Sequence, residues 1–295
     1  MKKNLFYLSN TVFISLFMAA CSGGGGGSSS NANIDNSIPN NQTRLPTQTG
    51  GQYIFTDEND QTSFGNPNSN SLDSITVAGR TFDLALNGKS DGIWSIKSSN
   101  DIDDNYYCCN NLQYVRLASV DDSGKDVALH LYHGFVTPIG NMPSGTATYQ
   151  GEAIYLPSTE IADNSYIIDK GYNEVLGNAN ISVDFGAKTL SGRLLSGTQR
   201  QYDWVHEFDS SGTIIKEGNK ITEVNPGDAN YVTPIEIVNG KINGNQFTAT
   251  ALAATEKESA NVSGHFFGPQ AEELGAMMDS GNNDDNWGGM FAGKK

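Results

Sequence analysis

The sequence predicts a mainly β protein: an N-terminal antiparallel sheet followed by a C-terminal eight-stranded antiparallel β-barrel. Three observations carry this reading. Glycine supplies 33 of the 295 residues and proline only 9, a composition that suits strands and tight turns better than helices. Short apolar runs alternate with period two and are separated by turn residues. The last residues, Ala260–Lys295, set two apolar-and-glycine pieces, Val262–Pro269 and Trp287–Lys295, around a polar loop. An end rich in Phe, Trp and Gly reads as a closing strand whose glycines admit backbone and rings at close range.

Taken in order, the chain opens with an export signal. Met1–Lys3 is basic, Val12–Met18 is apolar, and Ala19-Ala20 is a small-residue cleavage site, so residues 1–20 read as a signal peptide. The segment is too short to span a bilayer comfortably. Cys21 directly after two alanines has the form of a lipobox and is the expected acylated residue. Several acyl chains on one cysteine anchor stably where one chain does not. Ser22, rather than Asp, accords with outer-membrane sorting. Residues 21–51 are a lipidated tether of Gly, Ser and Asn with almost nothing to bury, reaching roughly 30 Å.

Residues 52–138 form the first β domain. Ile75–Leu86 reads as one strand ended by the turn Asn87-Gly88; Gly92–Lys97, Leu112–Val120 and Val127–Val136 are three more. Three features here are candidates for chemistry. Cys108-Cys109 are the only thiols besides Cys21, and export permits a disulfide. They pair with each other, stay free, or bridge molecules; a vicinal bridge would present Tyr106 and Tyr107 to a partner. His130 and His133 flank Tyr132. Three residues apart on a strand, the histidines face opposite sides, so they do not jointly hold a metal. One of them is a candidate haem ligand with Tyr132 nearby; the alternative is two hydrogen-bonded sheet histidines. Asp101–Asn105 opens like a calcium loop, but Tyr106 and Leu112 stand where Gly and Glu are needed, so it reads as a polar loop without metal.

Residues 139–295 carry the barrel. Ala147, Tyr149, Gly151, Ala153 and Tyr155 share one face, and small residues alternating with Tyr fill a narrow interior. Ile181–Phe185 and Thr189–Leu195 make a hairpin, Gln201–Phe208 and Thr213–Ile215 another, and Asn239-Gly240 reads as the turn between Val232–Val238 and Ile242–Ala251. Glu272-Glu273 reads as the start of a short helix, and Trp287 and Met290 as core.

The formal charge of −15 repels phosphate backbones and anionic head groups, which argues against nucleic acid as a partner. It suits a basic protein partner, and it also simply keeps a chain soluble. No G-x-S-x-G elbow, H-E-x-x-H or Walker loop occurs, and Gly23–Gly27 follows no strand. The expectation is a binding protein, not an enzyme, with no required cofactor.

The run Gly264–Gly275, a loop, and Gly289–Lys295 resemble the end of the β-barrel domain of the transferrin-binding protein B family, surface lipoproteins of Gram-negative bacteria. The motifs Gly145-x-Ala147-x-Tyr149-x-Gly151, Val183–Phe185 with Ser191-Gly192, Ile242-x-Gly244-Asn245-x-Phe247 and Gly264–Pro269 fall in the order of that barrel, over roughly residues 140–295. The glycine run after Cys21 is similar to this family and to the related factor H binding proteins. The resemblance implies that residues 52–138 take the place of a handle domain and residues 139–295 that of the barrel. It further implies display on the outer membrane and capture of a host protein, most often an iron or haem source, for a receptor of the TonB-dependent class. Full transferrin-binding members carry two handle–barrel lobes and this chain holds one. Haemoglobin, transferrin, haem itself, or a complement regulator for immune evasion are therefore all open, as is an adhesive or structural role. Ligand identity is expected in loops 57–74, 98–111 and 276–286, with Tyr106, Tyr107, His130, Tyr132 and His133 as the candidate ligand face.

Overall fold

The computed structural model describes residues 46–67, 69–85, 94–99, 103–122, 125–158, 174–211, 213–281 and 286–295. The expected signal peptide, Cys21, the tether up to residue 45 and the Asn87-Gly88 turn lie outside these residues.

The first unit is a six-stranded sheet. Its strands are β1 (Thr49–Thr56), β2 (Thr62–Gly65), β5 (Trp94–Ser99), β6 (Asp103–Cys108), β7 (Val115–Asp122) and β8 (Val127–Phe135), in the order β2-β1-β8-β7-β6-β5. Every neighbouring pair is antiparallel. Between β2 and β5 in sequence lies a two-stranded hairpin, β3 (Ser74–Val77) and β4 (Arg80–Asp83). Strand alternation gives the sheet two apolar faces. Val127, Leu129 and Leu131 of β8 pack with Ile75 and Val77 beneath the hairpin, while Tyr132 joins Ile154 and Met277 on the barrel side.

The second unit has ten strands. Eight form a ring: β9 (Thr146–Leu156), β10 (Val175–Asp184), β11 (Thr189–Leu194), β14 (Ile235–Asn243), β15 (Gln246–Leu252), β16 (Ala260–Phe267), β17 (Glu273–Asp279) and β18 (Gly288–Lys294). The ring closes where β18 pairs with β9, setting Gly293 opposite Gly151. The C-terminal glycine-aromatic run is thus the closing strand, and closure leaves the ring no edge. The other two strands, β12 (Gln199–Phe208) and β13 (Ile214–Val224), form a hairpin that, among the described residues, pairs with the ring where Val175 and Leu176 meet Gln201 and Arg200, and Arg200 also forms an ion pair with Glu152 of β9.

Burial follows what covers each strand. Along β10, Ala179, Ile181 and Val183 point inward while Asn180 and Ser182 are outside. β17 and β18 lose this alternation and are buried almost throughout, because the sheet covers their outer faces. The barrel interior is filled by rings around Phe266, with Tyr149, Phe185 and Phe247 at centroid distances of 6.0, 5.2 and 5.3 Å.

The structure corrects several local expectations. The expected single strand from Ile75 is a hairpin over Ser74–Asp83, turning at Ala78-Gly79, both with positive φ, and its expected end at Leu86 lies outside the described residues. Asn239-Gly240 is a bulge inside β14, where Asn239 takes the left-handed conformation, and the reversal comes at Gly244-Asn245. No helix starts at Glu272-Glu273, since Glu273 begins β17. Strand β1 begins at Thr49, inside the segment read as tether, and part of the expected polar loop Asp101–Asn105 lies in β6.

Candidate functional site

The chemistry of the molecule concentrates at the seam between sheet and barrel and at one barrel rim. At the seam, the Glu273 carboxylate accepts backbone N–H groups from Gln113, Tyr114 and Val115 at 2.6, 2.8 and 3.1 Å. Three donors from one turn converge on one side chain because the Leu112–Val115 corner approaches the first residue of β17. Burial pushes the Glu273 carboxyl above the usual range, opposed by those three donors and by the Arg116 charge. The same seam carries Tyr132 Oη and His265 Nδ1 at 2.9 Å, a Ser263–Gln52 side-chain hydrogen bond, and the bridge between Val136 and Phe267. Asn245 Nδ2 donates to Thr137 O at 2.7 Å. The sheet is thus fastened to the barrel by polar contacts at several points around an apolar interface.

The expected ligand face does not form as an exposed surface. Tyr106 and Tyr132 are buried in the seam, and Tyr107 is buried on the opposite side of the sheet under the β3–β4 hairpin. Alternation along β6 separates the two tyrosines. His130 and His133 do face opposite sides. His130 Nδ1 lies 2.9 Å from Ser119 Oγ, its cross-strand neighbour, whereas His133 is buried with Nε2 3.0 Å from Ser71 O. Burial pulls His130 and His265 down to about 4 and lowers His133, so these imidazoles are neutral at physiological pH. Burial also pushes Tyr107 up to about 12. Cys108 and Cys109 are bonded to each other across a cis peptide, and both are fully buried in the seam. They line no exposed loop.

Glu273 escapes a reading of the sequence because nothing local marks its partners. One signal is available: a carboxylate heading the apolar run Leu274–Met278 must either be exposed or find donors.

The two ends of the barrel differ. One is closed by the short turns 185–188, 244–245 and 268–272. At the other end lie the described residues that lead out of and into the strands there, 157–158 and 174, 195–234 with β12–β13 (residue 212 excepted), 253–259, and 280–281 with 286–287; residues 159–173 and 282–285 lie outside the described residues. Side chains pin this second rim. Trp287 Nε1 donates to Glu258 O at 2.7 Å, and Glu256 bonds the Tyr155 hydroxyl and accepts Ser158 N–H at 3.2 Å. The buried Gln199 amide donates to Leu195 O at 3.0 Å and also to Val232 O, and accepts Val232 N–H at 2.9 Å. Where the sheet meets this rim lies a cleft of about 40 Å³ lined by Ile54, His130, Met278, Asp279, Asn286 and Trp287 among others. That space admits a side chain or a few waters, far below a drug-sized ligand site of roughly 300 Å³ or more.

Residues 142–295 match the family description "C-lobe and N-lobe beta barrels of Tf-binding protein B". This chain belongs to the transferrin-binding protein B family. Over 283 residues it is 27% identical to an uncharacterized protein of Haemophilus influenzae, covering 90% of this chain and 80% of the relative. A shorter stretch of 108 residues is 31% identical to transferrin-binding protein B of Neisseria meningitidis serogroup B, covering 33% of this chain and 12% of that protein. Among solved structures, a Trp-176-Ala mutant of transferrin binding protein B from Haemophilus parasuis superposes with a TM-score of 0.52 at 23% identity. The match covers 90% of this chain and 46% of that one, so the chain spans less than half the length of that family member. The Neisseria meningitidis serogroup B structure gives 0.52 at 16% identity, over 83% of this chain and 43% of the other. These likenesses establish the shared handle-and-barrel fold.

Proposed function

We propose that this protein is a surface lipoprotein that captures a host iron- or haem-carrying protein. In this reading Cys21 is acylated and anchors the chain in the outer membrane, residues up to about Gln48 act as a tether, and the body presents the rim with the long connections to the partner. The captured protein is then offered to a receptor of the TonB-dependent class. The chain binds and does not catalyse. The observation that carries the reading is a handle sheet fastened to a closed barrel whose long connections gather at one rim, in a chain of this family. Rigid strands that hold out loops are a common way to build a binding surface. A small, filled barrel leaves little room for an internal ligand, which favours a protein partner engaged from outside.

The test is a pull-down with the chain from Ser22 to Lys295, immobilised through an N-terminal tag that imitates the anchor. Transferrin, haemoglobin and factor H are offered separately at physiological salt. Retention of transferrin or haemoglobin is the expected result. Retention of factor H alone reassigns the protein to immune evasion, and retention of none overturns host-protein capture.

A further inference from the structure

The cleft between the sheet and the barrel rim is chemically specific. Its walls are aliphatic and aromatic: Ile54 from β1, Met278 from β17, Leu156 from β9, and Trp287. Within these walls sits Asp279, the last residue of β17 and only half-exposed. Asp279 Oδ1 accepts the Gly281 N–H at 2.9 Å, and among the described residues no cation pairs with its carboxylate. Neither amide atom of Asn286, a second wall residue, has a hydrogen-bond partner among the described residues. Among the described residues no Lys or Arg lines the cleft, and the lining imidazole, His130, is held well below its ordinary value by burial. The Thr56 and Thr62 hydroxyls lie 3.1 Å apart and satisfy each other.

Charge and shape together point to one occupant. A half-buried carboxylate with no counter-ion among the described residues, lining the same cleft as an amide oxygen without a donor, calls for a cation that also donates hydrogen bonds. Apolar walls around that pair call for a cation on an aliphatic stem. Lysine and arginine side chains have this form: methylenes that lie along apolar surface and a charged head that seeks acceptors. A narrow cleft fits one such side chain and excludes larger groups. The acidic charge of the whole chain, −15, attracts such a partner over longer range.

We propose that this cleft is a socket for one basic side chain, lysine or arginine, presented by the captured protein. The assignment of the side chain to a captured protein rests on the reading given under Proposed function; the cation site rests on the cleft alone.

The test titrates Nα-acetyl-lysine methylamide into the isotope-labelled chain from Ser22 to Lys295 and follows the Trp287 indole N–H and the Gly281 and Gly288 amides by NMR. Saturable shifts at these groups are expected. Asp279→Asn keeps an acceptor for Gly281 and so keeps the local turn, but it removes the charge. It should weaken binding about tenfold, the factor that corresponds to about 1.4 kcal/mol. The neutral isostere Nα-acetyl-norleucine methylamide should bind weaker by a similar factor. Equal binding of the norleucine compound, unchanged affinity in Asp279→Asn, or no saturable shift at these groups overturns the socket. A chain that binds the blocked lysine but retains no host protein keeps the cation site and removes its assignment to a captured protein. Host-protein retention that Asp279→Asn leaves unchanged removes that assignment while host-protein capture itself stands.

Discussion

Glu273, the first residue of β17, accepts a 2.8 Å hydrogen bond from the backbone N–H of Tyr114, 159 positions earlier in the chain. With the bonds from Gln113 and Val115, this one carboxylate closes a corner of the sheet against the barrel. Glu273→Ala strands three buried-side donors and should cost about 3 kcal/mol; Glu273→Gln keeps an acceptor oxygen and should cost about 1 kcal/mol. Urea unfolding of the three proteins measures both. Equal, negligible losses would show that water replaces the carboxylate freely.

Acid should loosen the seam through its histidines. His130 and His265 have folded-state values near 4, below the ordinary 6.5, because burial disfavours the imidazolium. Between those values the unfolded chain binds more protons than the folded one. Their stabilisation is therefore complete above pH 6.5 and is lost as pH falls toward 4. The loss at pH 5 is on the order of 2 kcal/mol per histidine. Glu273 acts in the opposite sense, since burial raises its value and the fold holds that proton more tightly than the unfolded chain does. His265→Gln, which can still bond the Tyr132 hydroxyl, should flatten the slope of stability against pH between 7 and 5. An unchanged slope would show that His265 already reaches solvent.

Gly151 has a different role from most glycines of the chain. It lies opposite Gly293 where the ring closes, and a Cβ there would run into the Ala292 carbonyl and the Gly293 backbone. Because the obstacle is backbone on both counts, no rotamer relieves it. Gly151→Ala should destabilise the protein by about 2–3 kcal/mol. Gly140 provides the control: a Cβ added there would meet nothing within 4 Å, and its φ is not positive, so Gly140→Ala should be near neutral. Comparable melting temperatures for the two variants would contradict this account of closure.

What the sequence revealed divides along physical lines. The barrel strands were legible because Ile181, Val183 and Phe185, or Phe247, Ala249 and Ala251, bury one face and leave period two intact. The closing strand was legible because Gly288–Gly293 has no use in a solvent-exposed tail. β6 was not, since Asp103–Asn105 look like a loop and Tyr106 and Tyr107 are buried on opposite faces by elements far away in sequence. Tyr106, Tyr107, Tyr132 and His133 of the expected ligand face are buried for the same reason: clustered His and Tyr resemble a binding surface until two layers cover the strands that carry them. Asn239-Gly240 resembles a turn, yet the same backbone freedom serves a bulge that brings Gly240 against Leu190 of β11.

The β12–β13 hairpin should be separable from the ring. Its strands pair with each other from Gln199 opposite Val224 to Phe208 opposite Ile214, yet among the described residues they join the ring only at the hairpin base, by two register positions on β10 and the Arg200–Glu152 ion pair to β9. The ring itself closes through β11 and β14 without them. Replacing residues 203–220 by a short Gly-Ser turn should therefore change stability by less than about 1 kcal/mol. Gln199 lies at the hairpin base and behaves differently: its amide ties Leu195 to Val232, both buried at the rim. Gln199→Ala should cost about 2 kcal/mol, because it leaves buried backbone groups unpaired. If the hairpin belongs to the surface that meets a host protein, the trimmed chain should melt normally and lose retention in the pull-down. A trimmed chain that unfolds would show that the hairpin supports the ring, and one that melts normally with retention intact would exclude it from the binding surface.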